Sequence, residues 1–145
     1  MRKKGGKETP AGVPVAGEHT MMQFFTQISG WTRLARAYPA PGQPEGQRTE
    51  RQTVQVGSVR FRRCVTVCVS AEGLYLRARV VLSRYAPILI PWGEIEGIQE
   101  ARVYWQRAVR LRAGNPEVGT VTVPMALFES IRPHLRPELF VWTDA

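Results

Sequence analysis

The sequence contains few of the side chains that usually carry out proton transfer and nucleophilic attack: His19, His134, Cys64, Cys68 and Asp144. Acid–base and covalent catalysis need such groups to meet at one site. His19 falls in the N-terminal stretch and Asp144 is the penultimate residue, so the spacing supports no catalytic triad. We therefore expect a protein that is not an enzyme and that uses no cofactor.

Cysteine is scarce as well, and its two copies do not form a recognisable pair. Cys64 and Cys68 are four residues apart in a predicted strand, where four residues span about 13 Å. A disulfide tolerates a Cα separation of only ~7 Å. No other Cys or His stands at a spacing typical of a zinc site. We interpret both as small apolar residues in a reducing compartment and expect no metal.

Long apolar runs are also absent. None approaches the ~18 residues that a membrane-spanning helix requires, and the charged N-terminal stretch lacks the apolar centre of a signal peptide. What is present is the composition of a globular domain, with 43% hydrophobic residues in a chain of 145. That length suits a single hydrophobic core. The expected location is the cytoplasm, with peripheral attachment at the inner face of the membrane as an alternative.

Positive charge is in excess, with a formal net charge of +8. The three lysines, Lys3, Lys4 and Lys7, all lie at the N-terminus, and every later cation is an arginine. Such an excess favours an anionic partner, for example a membrane surface or a nucleic acid. Scattered arginines are equally consistent with a bias in nucleotide composition, so charge alone does not choose the partner.

Residues 1–19 combine Lys, Gly and Pro with few large apolar groups, which predicts a flexible leader. Met21 and Met22 follow it, so a translation start at these residues is left open.

Residues 20–38 are predicted to form an amphipathic helix. Thr20 and Gln23 stand at the spacing of a capping box, and Pro39 disfavours helical geometry at the preceding residue. Apolar residues recur at steps of three and four and form one stripe: Met21, Phe24, Phe25, Ile28, Trp31, Ala35 and Tyr38. We expect this stripe to pack on its own protein, with docking on a partner or in a membrane interface as alternatives.

A segment rich in proline and glycine, residues 39–49, is interpreted as a linker to a β domain that covers residues 50–145. Beyond it, apolar and polar residues alternate with a period of two, which is typical of strands with one face in a core. About seven such segments are present, as expected for an antiparallel barrel or sandwich: 53–59, 60–69, 74–80, 88–90, 98–106, 109–112 and 120–123.

Two details of this pattern are specific predictions. Alternation through residues 98–106 places Trp105 on the same apolar face as Val103. Gly73 ends the turn before the third strand, where we expect it to adopt a left-handed conformation.

The segment Pro87–Ile98 marks a corner of the sheet. Residues 88–90 are wholly apolar and are predicted to be buried on both faces. Pro91 removes a backbone donor where that strand must end, and a second β-branched segment follows Trp92. The segment therefore predicts a strand, a corner and a new strand.

The C-terminal region predicts a short helix and an apolar tail. Apolar residues stand at helical spacing, and Pro133 is expected to break the last turn near Arg132. These residues are Leu127, Phe128, Ile131 and Leu135. The tail, residues 139–142, is too apolar for water and is expected to pack on the domain.

Seven strands followed by one closing helix is the element order of the pleckstrin-homology-like (PH-like) superfold, and residues 50–136 resemble bacterial PH-like and GRAM-like domains. The resemblance is carried by Gly73-Leu74-Tyr75-Leu76, by Ile90-Pro91-Trp92-Gly93-Glu94-Ile95, and by Val121-Thr122-Val123-Pro124 before a helix containing Phe128. It implies a mainly β (α+β) fold in which a buried Trp92 leads one strand into the next, with Pro91 and Gly73 as further structural residues. The superfold hosts lipid-binding, peptide-binding and scaffolding roles.

The resemblance and the lack of catalytic groups favour a noncatalytic interaction module. Its expected partner is a protein or peptide, bound at an edge strand or in the groove beside the C-terminal helix. Binding of nucleic acid, with bases stacked on Tyr75 and Tyr104, is less favoured. The oligomeric state is left open.

The alternative is peripheral association with an anionic membrane. Its candidate anionic-ligand patch is Arg60, Arg62, Arg63, Arg77, Arg79 and Arg84. Its candidate apolar contacts are Phe24, Phe25, Trp31, Phe140 and Trp142. In lipid-binding PH domains, a Lys and paired arginines near the first hairpin bind inositol phosphates. Arg60, Arg62 and Arg63 lie in the corresponding region, but the Lys is absent and the spacing differs.

Overall fold

The strands and helices below come from a computed structural model that describes residues 30–80 and 85–144, with side chains up to residue 140. Residues 30–37 are helical and are called α1. The strands are β1 Gly46–Val56, β2 Val59–Ser70, β3 Gly73–Ala78, β4 Ile88–Pro91, β5 Ile95–Val103, β6 Gln106–Ala113 and β7 Gly119–Pro124. A second helix, α2, spans Met125–Ile131, and three 3₁₀ segments span Trp92–Glu94, Arg132–His134 and Pro137–Asp144. The predicted leader and the first part of the predicted N-terminal helix lie outside the described residues.

The seven strands form one antiparallel sheet in the order β4-β3-β2-β1-β7-β6-β5. The sheet curls into a half-barrel, and α2 packs against it through three buried side chains, Leu127, Phe128 and Ile131. This confirms the predicted mainly β fold of seven antiparallel strands with a short C-terminal helix. The two edge strands, β4 and β5, are consecutive in the chain and are joined by the 3₁₀ turn Trp92–Glu94.

The core follows from the period of two along each strand. Val54 and Val56 of β1 and Val65 and Val67 of β2 are fully buried, because alternate side chains point to the concave face. α1 adds its own apolar face, where Trp31 is 1% exposed and its indole Nε1 donates to the Ala86 carbonyl at 2.7 Å. Near the C-terminus, α2 ends at Ile131 and is followed by the 3₁₀ turn Arg132–His134, as Pro133 predicts.

The corner between β4 and β5 is built around Trp92. Its side chain is 9% exposed, and its indole Nε1 donates to the Ser70 carbonyl at 2.7 Å. The Ser70 hydroxyl accepts from the backbone N–H groups of Glu72 and Gly73 and donates to the Gly73 carbonyl at 2.9 Å. One tryptophan and one serine therefore connect the β2–β3 turn to the corner.

Glycine is required at position 73 because two strands approach closely there, and not because of a left-handed backbone. Its φ angle is not in the left-handed region, so the expected left-handed conformation is wrong. A Cβ atom on Gly73 would instead overlap the Ile90 carbonyl oxygen, because β4 passes close to the backbone here. Glycine at this position permits a close approach of two strands.

The sheet starts inside the segment predicted as a linker. Gly46 and Gln47 of β1 pair with Ser70 and Val69 of β2, so the paired residues begin before residue 50. The content of proline and glycine predicted a linker here. The start of β1 could not be predicted from that composition because it depends on pairing with β2. Upstream, Pro39 forms a β-bridge with Ile88.

The end of α1 is linked to the corner by Tyr38. Its hydroxyl donates to a carboxylate oxygen of Glu94 at 3.0 Å, and its carbonyl accepts from the Leu89 N–H at 2.9 Å. Burial, followed by the hydrogen bond to Glu94, raises the pKa of Tyr38 to about 12. Both effects favour the neutral phenol in the folded protein.

Among the described residues, no helix is both long enough and apolar enough to cross a membrane.

Candidate functional site

The turn between β5 and β6 consists of Tyr104 and Trp105, and both have left-handed backbone angles, with φ of 50° and 68°. Two-residue hairpin turns of this kind normally carry Asn-Gly or Asp-Gly. A side chain with a Cβ atom costs about 1–2 kcal/mol at each left-handed position. The protein therefore keeps two aromatic residues where glycine and asparagine would be more stable.

Trp105 is also the most exposed large apolar side chain that the structure describes, at 90%, and Tyr104 is 42% exposed. The prediction that Trp105 continues the apolar face of a strand through residue 106 is wrong, since β5 ends at Val103 and the chain reverses. The indole therefore projects from the end of a hairpin. Backbone strain combined with an exposed aromatic group is typical of a functional site rather than of packing.

Two arginines of β2 lie against the ring of Tyr104. The guanidinium carbon of Arg60 is 4.4 Å from the ring centroid and that of Arg62 is 5.6 Å from it. These distances are those of cation–π contacts. They hold the base of the hairpin turn against β2.

The backbone on both sides of this contact is fixed by hydrogen bonds. Arg63 is left-handed, with φ of 52°, and its N–H donates to Thr53 Oγ1 at 3.1 Å across a bulge in the β1–β2 pair. Arg102 Nη1 donates to the Trp105 carbonyl at 3.0 Å. The exposed acceptor of the turn is thus satisfied by the chain itself.

We name Arg60, Arg62, Arg63, Tyr104, Trp105 and Arg107 the tip patch. A cleft of about 420 Å³ lies within it. The residues that line the cleft are Thr53, Arg62, Arg63, Val103, Tyr104, Trp105, Gln106, Arg107 and Pro124. All of its charged side chains are arginines, so the cleft suits an anionic group.

Nearby acids neutralise little of this charge. The only described ion pair of the tip patch joins Arg107 to Glu100 at 4.0 Å, and both side chains are largely exposed. No other acidic group in the described ranges lies within ion-pair distance of Arg60, Arg62 or Arg63. Exposed pairs of this length contribute little energy, so four guanidinium groups remain available to a ligand.

The candidate arginines therefore separate into two groups. Arg60, Arg62 and Arg63 meet at the tip patch, whereas Arg77 and Arg79 are exposed on or just beyond β3 and line no part of the cleft. In register, Arg77 lies opposite Thr66, and the Arg79 N–H donates to the Cys64 carbonyl at 2.7 Å. Arg84 lies outside the described residues.

The candidate apolar contacts do not form an exposed surface in the described part of the chain. Trp31 lies in the core instead, so its indole is not available to a partner. Phe140 is half-buried, with its ring 6.4 Å from that of Phe128. Phe24, Phe25 and the side chain of Trp142 lie outside the described residues.

The remaining reactive side chains have structural environments. His134 is exposed and stacks on Trp92, with ring centroids 4.8 Å apart. Cys64 and Cys68 are both free thiols. Burial raises the pKa of each thiol, and the charge of Arg48 offsets this only in part for Cys68. Within the described ranges, no three His, Cys, Asp or Glu side chains are placed to hold a metal ion.

Sequence reasoning missed Trp105 because no glycine, asparagine or proline marks its turn. The pattern of alternation does divide this stretch into two predicted strands, 98–106 and 109–112, but it places the break after residue 106, whereas the chain reverses at residues 104 and 105. Strand length requires a reversal in a stretch this long but does not locate it.

Comparison with known proteins finds no family model, no curated protein and no solved structure that matches this chain.

Proposed function

We propose that this chain is a noncatalytic interaction module of PH-like architecture that attaches peripherally to anionic membrane surfaces through its tip patch. The order of seven strands and a closing helix supports the PH-like assignment. The observation that carries the functional proposal is the 90% exposure of Trp105 on a strained hairpin turn.

The turn has the properties that an interfacial anchor needs. Tryptophan and tyrosine are favoured at the level of lipid headgroups, where one end of the side chain is apolar and the other remains wet. A backbone carbonyl that enters this layer loses water, and at Trp105 the guanidinium of Arg102 replaces it. The indole can therefore enter the interface without leaving that acceptor unpaired.

The arginines behind the turn supply the attraction to anionic lipid. Arg60 and Arg62 contact Tyr104, next to the residue that would insert, so their charges lie near the phosphate layer when Trp105 inserts. Each cation near such a surface contributes about 1 kcal/mol. This contribution is electrostatic and falls as salt is added.

Vesicle sedimentation of the full chain tests the proposal. We expect binding to vesicles of phosphatidylcholine and phosphatidylglycerol in equal parts, and little binding to phosphatidylcholine alone. Trp105→Ala should weaken binding about tenfold through lost insertion. The double variant Arg60→Gln/Arg62→Gln, which removes two cations that contribute about 1 kcal/mol each, should weaken it about thirtyfold.

A matched control is the double variant Arg77→Gln/Arg79→Gln, which removes the same charge from the region of the neighbouring strand β3. It should bind almost as well as the wild type. Equal binding to both vesicle types, or equal losses in the two double variants, would contradict a specific role for the tip patch.

Tryptophan fluorescence tests insertion directly. Of the tryptophans whose side chains the structure describes, Trp31 and Trp92 are buried and Trp105 is exposed. In a Trp142→Phe background, which removes the remaining indole, a blue shift on adding anionic vesicles should therefore arise from Trp105. Trp105→Phe should abolish the shift, and brominated lipid should quench the emission only of the protein that retains Trp105. A shift that persists in Trp105→Phe would assign the insertion to another residue.

A protein or peptide partner is the second candidate, since tryptophan, tyrosine and arginine are the residues most enriched in binding hot spots. The cleft beside Trp105 gives such a partner a pocket to fill. A purified partner that binds the wild type and Arg77→Gln/Arg79→Gln, but not Trp105→Ala, would favour this candidate. Competition by a single-stranded oligonucleotide in the vesicle assay would instead point to nucleic acid.

A further inference from the structure

β5 is an edge strand with unpaired backbone groups. Val103 and Gln106 close a two-residue hairpin and therefore exchange hydrogen bonds, as does every second pair along β5 and β6. The backbone N–H and C=O groups of Ile98, Glu100 and Arg102 consequently point away from β6. In the ranges that the structure describes, no backbone group pairs with them on that side.

Like charges meet at this edge. Arg102 lies directly opposite Arg107 in the register of β5 and β6. Like charges in directly opposed positions destabilise a sheet. The nearest acid, Glu100, is 4.0 Å from Arg107 and lies on β5 itself. A carboxylate on the open side of Arg102 would relieve this repulsion.

We propose that a second copy of this chain supplies that carboxylate by pairing its own β5 antiparallel with the first. Ala101 would lie opposite Ala101 on a two-fold axis. Glu100 of each copy would then lie opposite Arg102 of the other, giving two cross-strand ion pairs. The backbone N–H and C=O groups of Glu100 and Arg102 point outward. The register centred on Ala101 therefore also forms the hydrogen bonds of an antiparallel ladder between the two copies.

Other two-fold registers that keep this hydrogen-bond pattern are less favourable. Centring the axis on Glu100 or on Arg102 places two like charges directly opposite one another. Centring it on Gln99 pairs Arg102 with Glu96, whose carboxylate is already bonded to Arg136 at 3.2 Å. Of these registers, the one centred on Ala101 places Glu100 opposite Arg102. On its own chain Glu100 is 4.0 Å from the exposed Arg107, and Arg102 donates through Nη1 to the Trp105 carbonyl, which leaves further guanidinium N–H groups for the carboxylate of the second copy.

The interface lies on the edge of the sheet beside the tip patch, and its residues contact that patch: Arg102 Nη1 also donates to the Trp105 carbonyl, and Glu100 lies 4.0 Å from Arg107. The dimer is measured without lipid, so a monomeric protein would overturn it without testing membrane binding. A short edge buries less than the ~1,200 Å² of a standard interface. The dimer is therefore weak and concentration-dependent. Charged residues on an edge strand can alternatively serve only to keep strands apart, and in that case the protein remains monomeric.

Sedimentation velocity of the full chain over a dilution series measures the dimer. Arg102→Glu should raise the dissociation constant at least about tenfold, because it places acids opposite one another. The charge swap Glu100→Arg/Arg102→Glu should restore the affinity of the wild type. Arg77→Glu, which makes the same charge change on the interior strand β3, should leave it unchanged.

Cross-linking tests the register. In the proposed dimer the two Ala101 residues form a non-hydrogen-bonded pair with Cα atoms about 4.5 Å apart, a separation that a disulfide accepts. Ala101→Cys should form a covalent dimer on oxidation. Gln99→Cys should form no covalent dimer, because residue 99 would lie opposite Val103 of the other copy. Oxidation of the wild type measures any contribution of Cys64 or Cys68.

Glu100→Pro adds a test of backbone pairing. The Glu100 N–H points outward, so proline at this edge position removes a donor to the second copy without removing a bond to β6. The dimer should be lost while the monomer stays folded by circular dichroism. A wild type that is monomeric at every concentration would overturn the proposal. So would a dimer that is insensitive to Arg102→Glu, or a charge swap that does not restore the affinity of the wild type.

Discussion

Two tryptophans, each beside a reversal of the chain, have opposite environments. Trp92 lies at the β4–β5 corner, where it is 9% exposed and hydrogen-bonded to the Ser70 carbonyl. Trp105 lies on the β5–β6 turn, where it is 90% exposed on a left-handed backbone. The first stabilises the fold through its contacts. The second adds strain without adding packing, which is why we assign recognition to it.

The neighbours of the two residues differ in the same way. Around Trp92, every polar group named above has a partner, and Gly73 lets two strands approach closely. Around Trp105, Arg60 and Arg62 contact the ring of Tyr104 and are otherwise exposed. Substitutions at the corner should therefore change stability, whereas substitutions at the tip patch should change binding.

The largest effect is expected from Trp92→Ala. It removes a buried indole and leaves the Ser70 carbonyl without its donor, which should lower the free energy of unfolding by about 3–5 kcal/mol. Urea denaturation followed by circular dichroism measures this change. Trp105→Ala is the matched control, and a loss of stability as large as that of Trp92→Ala would break the contrast between the two residues.

A smaller loss is expected from Gly73→Ala. The new methyl group would overlap the Ile90 carbonyl, and overpacking of this kind costs about 1–3 kcal/mol. Gly93 lies in the same corner, and a methyl group added there would meet no atom within 4 Å, so Gly93→Ala should change stability by less than about 0.5 kcal/mol. Thermal denaturation of the two variants compares them, and equal melting temperatures would refute the close-approach explanation.

At the tip, the double variant Tyr104→Asn/Trp105→Gly should make the protein more stable. It places residues suited to left-handed angles on the turn, which relieves about 1–2 kcal/mol of strain at each position, and it removes the two cation–π contacts to Tyr104, which costs roughly 0.5–1 kcal/mol each. The net gain is about 1 kcal/mol or more. The same variant should lose binding to anionic vesicles. A higher melting temperature together with lost sedimentation would support a functional origin of the strain, and a destabilised variant would argue against it.

The smallest effect concerns alkaline pH. The pKa of Tyr38 is about 12 in the folded protein, against an ordinary value of 10.0 for a tyrosine. The folded state therefore favours the protonated phenol, and its contribution is fully present below pH 10 and is lost as pH rises towards 12. Tyr38→Phe should flatten the fall in stability over this interval. Denaturation midpoints measured at pH 9, 10 and 11 test this, and parallel curves for both proteins would contradict it.

The strands and the corner could be predicted because their signals are local. Alternating valines and leucines specify which face is buried, and Pro91 ends β4 where it removes a donor. The short α2 was predictable for the same reason, since its apolar residues stand at helical spacing.

The candidate site could be predicted only in part. Arg60, Arg62 and Arg63 were identified from charge. The contact of Arg60 and Arg62 with Tyr104 depends on the pairing of β1 with β7, which no local pattern encodes. The exposure of Trp105 was hidden because its turn violates the usual turn chemistry. The burial of Trp31 likewise depends on where α1 packs.

The pairing of β1 with β7 also has a kinetic consequence. The strands β1–β4 and β5–β7 are two series of local hairpins. In the sheet they are joined by a short junction, in which Gln55 lies opposite Thr122, Val56 lies opposite Val121, and the Gly57 N–H donates to the Thr120 carbonyl. These positions are far apart in the chain, so bringing them together carries a large loop-closure entropy before any pairing is gained. We expect each series to form early and their junction to limit the rate of folding.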